Sequence, residues 1–152
     1  MEGRRVSLGG LDAVFVVTGE ETGGALAVVE HRIQPGVLVP PHWHEREDEL
    51  TYVIEGEIGA RVGEREVVLA AGSYLWKPCG VPHAFWNASD APARILDVII
   101  PAGFELFFPE LALIARAASP DEIEEAGSRY GHHLCSGWGE DLERRYGVRM
   151  RG

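Results

Sequence analysis

The sequence contains little lysine or cysteine and has no long apolar segment. Two Cys in 152 residues are too few for the disulfide framework of small secreted domains, so we expect a reducing compartment, the cytoplasm. No apolar run approaches the roughly 18 residues that a membrane-spanning helix needs, and we expect no membrane partner. Lys77 is the only lysine, and the formal net charge is −10. Because nucleic-acid-binding proteins ordinarily display a basic face, this charge argues against a nucleic-acid partner.

Glycine and proline are abundant, and they separate short runs of β-branched and aromatic residues. The chain has 19 Gly and 9 Pro among its 152 residues, a length that suits one domain. Connections such as Glu55-Gly56-Glu57 and Gly63-Glu64 have the lengths of antiparallel hairpins. The pattern predicts an all-β sandwich or barrel with strands at AVFVVT, ALAVVEHRI, ELTYVIE, EIGARV, REVVLA, SYLW, HAFWN and ARILDVII.

After Pro101 the apolar residues recur every three to four positions, which is typical of helices. Ser119, Pro120 and Asp121 form a helix start, and Gly131 provides a stop. We therefore expect two or three short helices that pack on the β-domain. The residues predicted to cover a sheet surface or a barrel mouth are Phe104, Phe107, Phe108, Leu111 and Leu113.

The predicted organisation has three parts. Residues 1–12 form an N-terminal arm, residues 13–101 form the β-barrel, and residues 102–152 form a C-terminal helical extension packed on the barrel. The extension is too small to be an independent domain.

The segment GVLVPPHWHEREDELTYVIEG contains a His-x-His pair that can bind a metal. Side chains two apart on a strand point to one face, so His42 and His44 can both face a barrel interior while Trp43 points away. Glu49 begins the next predicted strand and shares a face with Thr51. A buried carboxylate is costly unless a positive charge binds it, and a metal ion would supply that charge.

A second segment, GSYLWKPCGVPHAFWN, places His83 after a turn formed by Pro78, Gly80 and Pro82. His83 is the predicted fourth ligand, beside His42, His44 and Glu49. Three imidazoles and one carboxylate suit one divalent transition metal such as Fe, Mn, Ni, Co, Cu or Zn. A six-coordinate ion would keep two positions for water, dioxygen or substrate.

The two segments resemble the paired motifs of the cupin family. The first reads Gly-x5-His-x-His-x4-Glu-x6-Gly and the second Gly-x5-Pro-x-Gly-x2-His-x3-Asn, and every specified position matches. The matching residues are Gly36, His42, His44, Glu49, Gly56, Gly72, Pro78, Gly80, His83 and Asn87. The resemblance implies a jelly-roll barrel, a double-stranded β-helix, with the metal inside.

Within that family the chain is most similar to small bacterial single-domain proteins grouped with quercetin dioxygenases. This resemblance implies a metal-dependent dioxygenase that acts on a small aromatic or enolisable substrate, with Glu49 as both ligand and base. Two alternatives stay open: a metal-dependent isomerase, epimerase or decarboxylase, and a non-catalytic cupin that binds a small ligand or a metal.

Several side chains near the ligands have open assignments. Asp48 or Glu47 could replace Glu49 as a ligand if the preceding turn is shaped differently. A lone His31 is interpreted as a surface or core residue, and the adjacent His132 and His133 as exposed polar residues. The predicted substrate pocket comprises Thr51, Phe85, Trp76 and Tyr74.

A homodimer is the predicted assembly. The outward-facing Leu50, Tyr52 and Ile54 suit either a dimer contact or coverage by the C-terminal helices. The remaining predicted partner is a small-molecule substrate.

Overall fold

The computed structural model describes residues 4–150, which form two mainly antiparallel sheets and several short helices. In chain order the strands are β1 (Arg4–Ser7), β2 (Leu11–Val17), β3 (Ala27–Ile33), β4 (Val37–His44), β5 (Asp48–Glu55), β6 (Glu57–Val62), β7 (Arg65–Ala70), β8 (Tyr74–Lys77), β9 (His83–Trp86), β10 (Ala93–Ile100), β11 (His132–Leu134) and β12 (Arg149–Met150).

The two sheets pack face to face around one core. The first has the order β1-β2-β3-β10-β5-β8, and the second has the order β11-β4-β9-β6-β7 with β12 parallel to β4. Alternate residues of β3 and β10 are buried, as expected for strands with one face on a core. Val29 and Ile95 of the first sheet share a hydrophobic cluster with Ile58 and Phe85 of the second. The predicted all-β jelly roll with a C-terminal helical extension is confirmed.

The eight predicted runs all coincide with strands, with ends displaced by at most two residues. Four strands lie outside the eight predicted runs. One is β4, whose eight residues include Pro40 and Pro41 and whose end, at His42 and His44, was treated as a strand only in the metal-site argument. The other three lie in the flanking segments: β1 pairs with β2, and both β11 and β12 pair with β4. They are only two to four residues long, too short to show a clear alternation. Residues 1–3 of the predicted arm and residues 151–152 of the predicted extension lie outside the described residues.

The extension contains a 3-10 helix (Phe104–Leu106) and helices α1 (Phe107–Ile114), α2 (Pro120–Ser128) and α3 (Gly139–Tyr146). Ser119 caps α2: its hydroxyl accepts a hydrogen bond from the Glu122 backbone N–H, and the Glu122 carboxylate accepts one from the Ser119 N–H. The predicted start of this helix is confirmed. None of the helices within residues 4–150 is long and apolar enough to cross a membrane.

Helix α1 and the 3-10 helix before it pack their apolar residues onto the barrel core. Phe104, Phe107, Phe108 and Leu111 are buried there, as predicted. The prediction was wrong for Leu113, which is 87% exposed. Two positions correspond to about 200° around a helix, so Leu113 points away when Leu111 faces the barrel.

Helix α3 covers the outer face of the second sheet. Leu142 and Val148 form a separate cluster there with Trp86. A Cβ at Gly59 would overlap the Trp86 indole, so this strand position requires glycine.

Leu50, Tyr52 and Ile54 lie half-buried on the outer face of β5. The helices make their main contacts with β1, β4, β11 and β12, away from this face. The C-terminal helices therefore do not cover this face of β5, and the homodimer stays a prediction.

His133 joins helix α2 to the end of strand β4. Its Nε2 lies 2.7 Å from Glu45 Oε1 and its Nδ1 lies 2.9 Å from Glu124 Oε1. Both carboxylates accept hydrogen bonds from the imidazolium and so raise the pKa of His133. The effect of Glu124 is the larger of the two.

A raised pKa means that the folded state binds this proton more tightly than the unfolded state. The contribution of His133 to stability is therefore complete below the unfolded pKa of about 6.5 and is lost as the pH rises through the folded pKa. We expect the free energy of unfolding to fall between pH 6 and pH 8 by up to about 1 kcal/mol more in the wild type than in His133→Gln. Urea titrations at both pH values measure this difference, and an equal fall in the two proteins would contradict it.

Candidate metal centre

Two neighbouring strands bring the three motif histidines together. His42 and His44 lie at the end of β4 and His83 begins β9, with His42 directly opposite His83 in the register. All three are buried, with exposed fractions of 6%, 2% and 1%. One ring nitrogen from each lies within 4.8 Å of the others, so the three can reach a common ion.

The hydrogen bonds of these histidine rings leave ring nitrogens whose lone pairs could bind a metal ion. His42 Nδ1 donates to the Pro40 carbonyl oxygen at 2.7 Å and His83 Nδ1 to that of Val81 at 3.2 Å. Because a carbonyl only accepts, the proton is on Nδ1 and Nε2 carries the lone pair. Among the described residues, His83 Nε2 and both ring nitrogens of His44 have no hydrogen-bond partner.

Burial also keeps two of these rings, those of His42 and His83, neutral. It lowers the pKa of His42 well below its usual value, with help from His83 and His44. Burial and the charge of Lys77 lower the pKa of His83 to about 3. Neutral imidazoles with unpartnered Nε2 atoms are the ligands that borderline divalent ions bind, so the residues fit a metal.

Glu49 faces the same point from β5. Its Oε1 lies 2.9 Å from His44 Nε2, yet neither atom has a hydrogen bond within residues 4–150. Burial alone would raise the pKa of Glu49, but Lys77 and then His44 outweigh it and hold this pKa well below the usual range. Glu49 is thus a buried anion beside the histidines, although it lies outside the three-histidine group itself.

The two neighbouring acidic residues are placed differently. Asp48 points to the other side of β5, where its carboxylate accepts a hydrogen bond of 2.8 Å from the Cys79 backbone N–H. Glu47 is buried, its Oε1 has no partner in the described part of the chain, and burial raises its pKa. Of the three carboxylates, Glu49 is the one that contacts a motif histidine.

Lys77 is a part of the site that the sequence analysis missed. Its ammonium group is buried and lies 2.8 Å from Glu49 Oε2 and 3.2 Å from Asp97 Oδ1. Asp97 also accepts a hydrogen bond from Thr51 and lies 3.4 Å from His31 Nε2. Burial would lower the pKa of Lys77, but Asp97 and Glu49 outweigh it and raise this pKa. The positive charge that Glu49 needs is therefore supplied in part by the protein itself.

A cavity of about 60 Å³ adjoins the site, where His42 and Glu49 line it. Phe85 lines it, together with three phenylalanines of the extension, Phe104, Phe107 and Phe108. Thr51 is buried beside the cavity and holds Asp97, which lines it.

Tyr74 and Trp76 lie elsewhere, and the prediction that they line this pocket was wrong. They are 66% and 48% exposed. Strand β8 alternates so that Leu75 and Lys77 point inward, which turns Tyr74 and Trp76 to the outer surface.

His132 reaches the site from the extension. The sequence analysis expected it to be exposed, but it is only 7% exposed and lines the cavity. Strand β11 pairs with β4 so that His132 lies opposite His44, and the alternation turns His133 outward. The other isolated histidine, His31, is a buried core residue held by Asp97 and by the Asp12 carbonyl oxygen.

The other motif residues shape the backbone. All four motif glycines have positive φ angles, which favour glycine: Gly36 at 83°, Gly56 at 80°, Gly72 at 92° and Gly80 at 78°. Asn87 donates hydrogen bonds to the carbonyl oxygens of Ile33 and Ala91, as expected for a structural residue.

The fold and the three-histidine group define a jelly-roll protein with the donor set of a metal centre. A family model described as "Cupin domain" matches residues 29–99. Residues 29–99 therefore form a domain of the cupin family.

Curated relatives match over part of their length. The chain is 35% identical over 80 residues to the tetracenomycin polyketide synthase protein TcmJ of Streptomyces glaucescens, covering 53% of this chain and 52% of that protein. It is 27% identical over 110 residues to quercetin 2,3-dioxygenase of Bacillus subtilis, covering 72% of this chain and 32% of that protein. The chain thus spans about half or less of the length of these relatives.

Solved structures show the same fold. KdgF from Halomonas has a TM-score of 0.61 at 19% identity, covering 68% of this chain and 90% of that chain. A predicted oxalate decarboxylase from Thermotoga maritima has a TM-score of 0.61 at 23% identity, covering 66% of this chain and 93% of that chain. At this identity the likeness concerns the fold alone.

Proposed function

We propose that the protein is a metal-dependent dioxygenase that acts on a small aromatic or enolisable substrate. The observation that carries this proposal is the buried three-histidine group beside an anionic Glu49, next to a cavity lined mainly by apolar side chains, four of them phenylalanine. The similarity to a quercetin 2,3-dioxygenase supports the reaction class.

His42, His44 and His83 would hold one divalent transition metal through their unprotonated nitrogens, with Glu49 Oε1 as the fourth donor. When bound, such an ion polarises a coordinated oxygen and organises the reactants. The ion is one of Fe, Mn, Ni, Co, Cu or Zn, since the same donors accept all of them.

The protein's own groups account for binding and proton transfer. Lys77 holds Oε2 of Glu49, and a lone pair of this carboxylate that neither Lys77 nor the ion uses would take a proton from an enol hydroxyl. Phe85, Phe104 and Phe108 contact the apolar part of the substrate and exclude water.

The size of the cavity restricts the substrate. At about 60 Å³ it is smaller than the cavities of about 150 Å³ that admit benzene in other proteins. A compact enolisable molecule therefore fits best, and a larger aromatic substrate requires movement of Phe104 and Phe108.

The buried charges favour a second candidate, a metal-dependent isomerase, epimerase or decarboxylase. Lys77, Asp97 and His31 form a chain of polar contacts behind Glu49. Fixed charges of this kind also suit proton transfer without dioxygen.

Oxygen uptake distinguishes the two candidates. Protein reconstituted separately with Fe, Mn, Co, Ni and Cu is given compact enolisable ketones and flavonols in an oxygen electrode, with His83→Ala as the matched control. We expect substrate-dependent uptake with at least one metal and none in the variant. Metal-loaded protein that consumes no oxygen but exchanges substrate protons with deuterium would establish the second candidate instead.

A further inference from the structure

A fourth imidazole, that of His132, lies beside the three motif histidines without belonging to their group. Its ring stacks on His42, with centroids 4.8 Å apart and planes inclined by 27°. It is also nearly parallel to the Phe104 ring, with centroids 5.5 Å apart and planes inclined by 6°. A ring stacked on a ligand ring does not point at the ion that this ligand binds, so His132 is a wall of the cavity rather than a fourth imidazole ligand.

The polar atoms of His132 are not used by the fold. Its Nδ1 is buried against Gly127 and has no hydrogen-bond partner in residues 4–150. A Cβ at Gly127 would lie 2.8 Å from that nitrogen, so glycine at this position makes room for the ring. Because Nδ1 is packed against Gly127, Nε2 is the ring nitrogen that a ligand in the cavity could reach, since His132 lines that cavity.

We propose that His132 hydrogen-bonds an oxygen of the substrate bound at the metal and selects compact enolates and related chelating anions. This inference rests on the proposed function.

The position of His132 in the chain separates this contact from the segment that matches the cupin model. The cupin match ends at residue 99, whereas His132 is on β11 in the C-terminal extension. The barrel supplies the metal ligands, and the extension supplies both the phenylalanine cover and the polar contact.

Acetohydroxamate, a small chelating anion, is the probe that tests this contact. It is titrated into Co(II)-loaded protein, and the visible absorption of the metal reports binding. Loss of one net hydrogen bond weakens binding by about fivefold to tenfold in His132→Leu, and His132→Gln stays within about threefold of the wild type. His133→Leu, the same change at the outward-facing neighbour, keeps wild-type affinity. All variants retain about one equivalent of cobalt, measured by elemental analysis.

Three outcomes would overturn the inference, and they differ from one another. Unchanged acetohydroxamate affinity in His132→Leu, with cobalt bound, would overturn the substrate contact alone. Loss of cobalt in both His132 variants would make His132 part of the metal centre. A wild-type protein that binds no cobalt would overturn the proposed function together with the inference.

Discussion

Replacing His83 with alanine abolishes metal binding. His83 contributes one of the three ring nitrogens that lie within 4.8 Å of one another in the described part of the chain. Loss of residues that merely support a ligand already costs 10- to 100-fold in metal affinity, so we expect loss of a ligand to cost more than about 100-fold. Elemental analysis after dialysis should find about one equivalent of Co(II) or Zn(II) in the wild type and almost none in His83→Ala.

Thermal unfolding provides a second measurement of the same effect. Metal at about 100 times its dissociation constant stabilises a folded protein by about 2.7 kcal/mol. The wild type should show this stabilisation and His83→Ala should not. His133→Ala is the matched control, since His133 faces away from the three-histidine group, and it should bind metal like the wild type. Full metal content in His83→Ala would contradict the assignment of the site.

Replacing Lys77 with methionine strongly destabilises the metal-free protein. Lys77 is buried between two carboxylates, and its Nζ lies 2.8 Å from Glu49 Oε2 and 3.2 Å from Asp97 Oδ1. Removing one partner of a buried ion pair leaves an uncompensated charge and typically costs about 3–5 kcal/mol. Urea unfolding at pH 7 should show a loss of this size, and the loss should be smaller at pH 5, where the unpaired carboxylates take up protons more easily.

Two further variants test this explanation. Arg94 pairs with Glu30 and Glu55 on the surface, so Arg94→Met should cost less than about 1 kcal/mol. Combining Lys77→Met with Glu49→Gln and Asp97→Asn removes the charges along with their partner and should recover much of the lost stability. A loss of under 1 kcal/mol in Lys77→Met would show that the ion pairs add little.

Most of the barrel was predictable because strand formation follows a local pattern. Alternation with a period of two, interrupted by Gly and Pro, placed eight strands with small errors at their ends. The start of α2 was also local, since Ser119 and Glu122 form its capping box within four residues. By contrast, β1, β11 and β12 owe their conformation to pairing with β2 and β4, and their own residues carry too few alternations to show it.

The residues of the site also divide into those that a local sequence pattern predicts and those that it does not. His42, His44 and His83 belong to two spaced motifs, and the structure brings them together as predicted. Alternation could have shown that Lys77 faces inward while Tyr74 and Trp76 face outward, had the strand been taken to extend to Lys77. His132 carried no such signal, because adjacent histidines after a helix are ordinarily exposed.

The sequence by itself determined the class of fold, the helical extension and the three histidines of the candidate centre, since each depends on residue types at short fixed spacings. Only the tertiary structure decided that Lys77 lies between Glu49 and Asp97, that His132 lines the cavity, and that the cavity is small. These features depend on the register of β5 against β8 and β10 and of β4 against β11, which joins residues far apart in the chain. Side-chain patterns within one strand cannot specify such a register without the packing of the whole barrel.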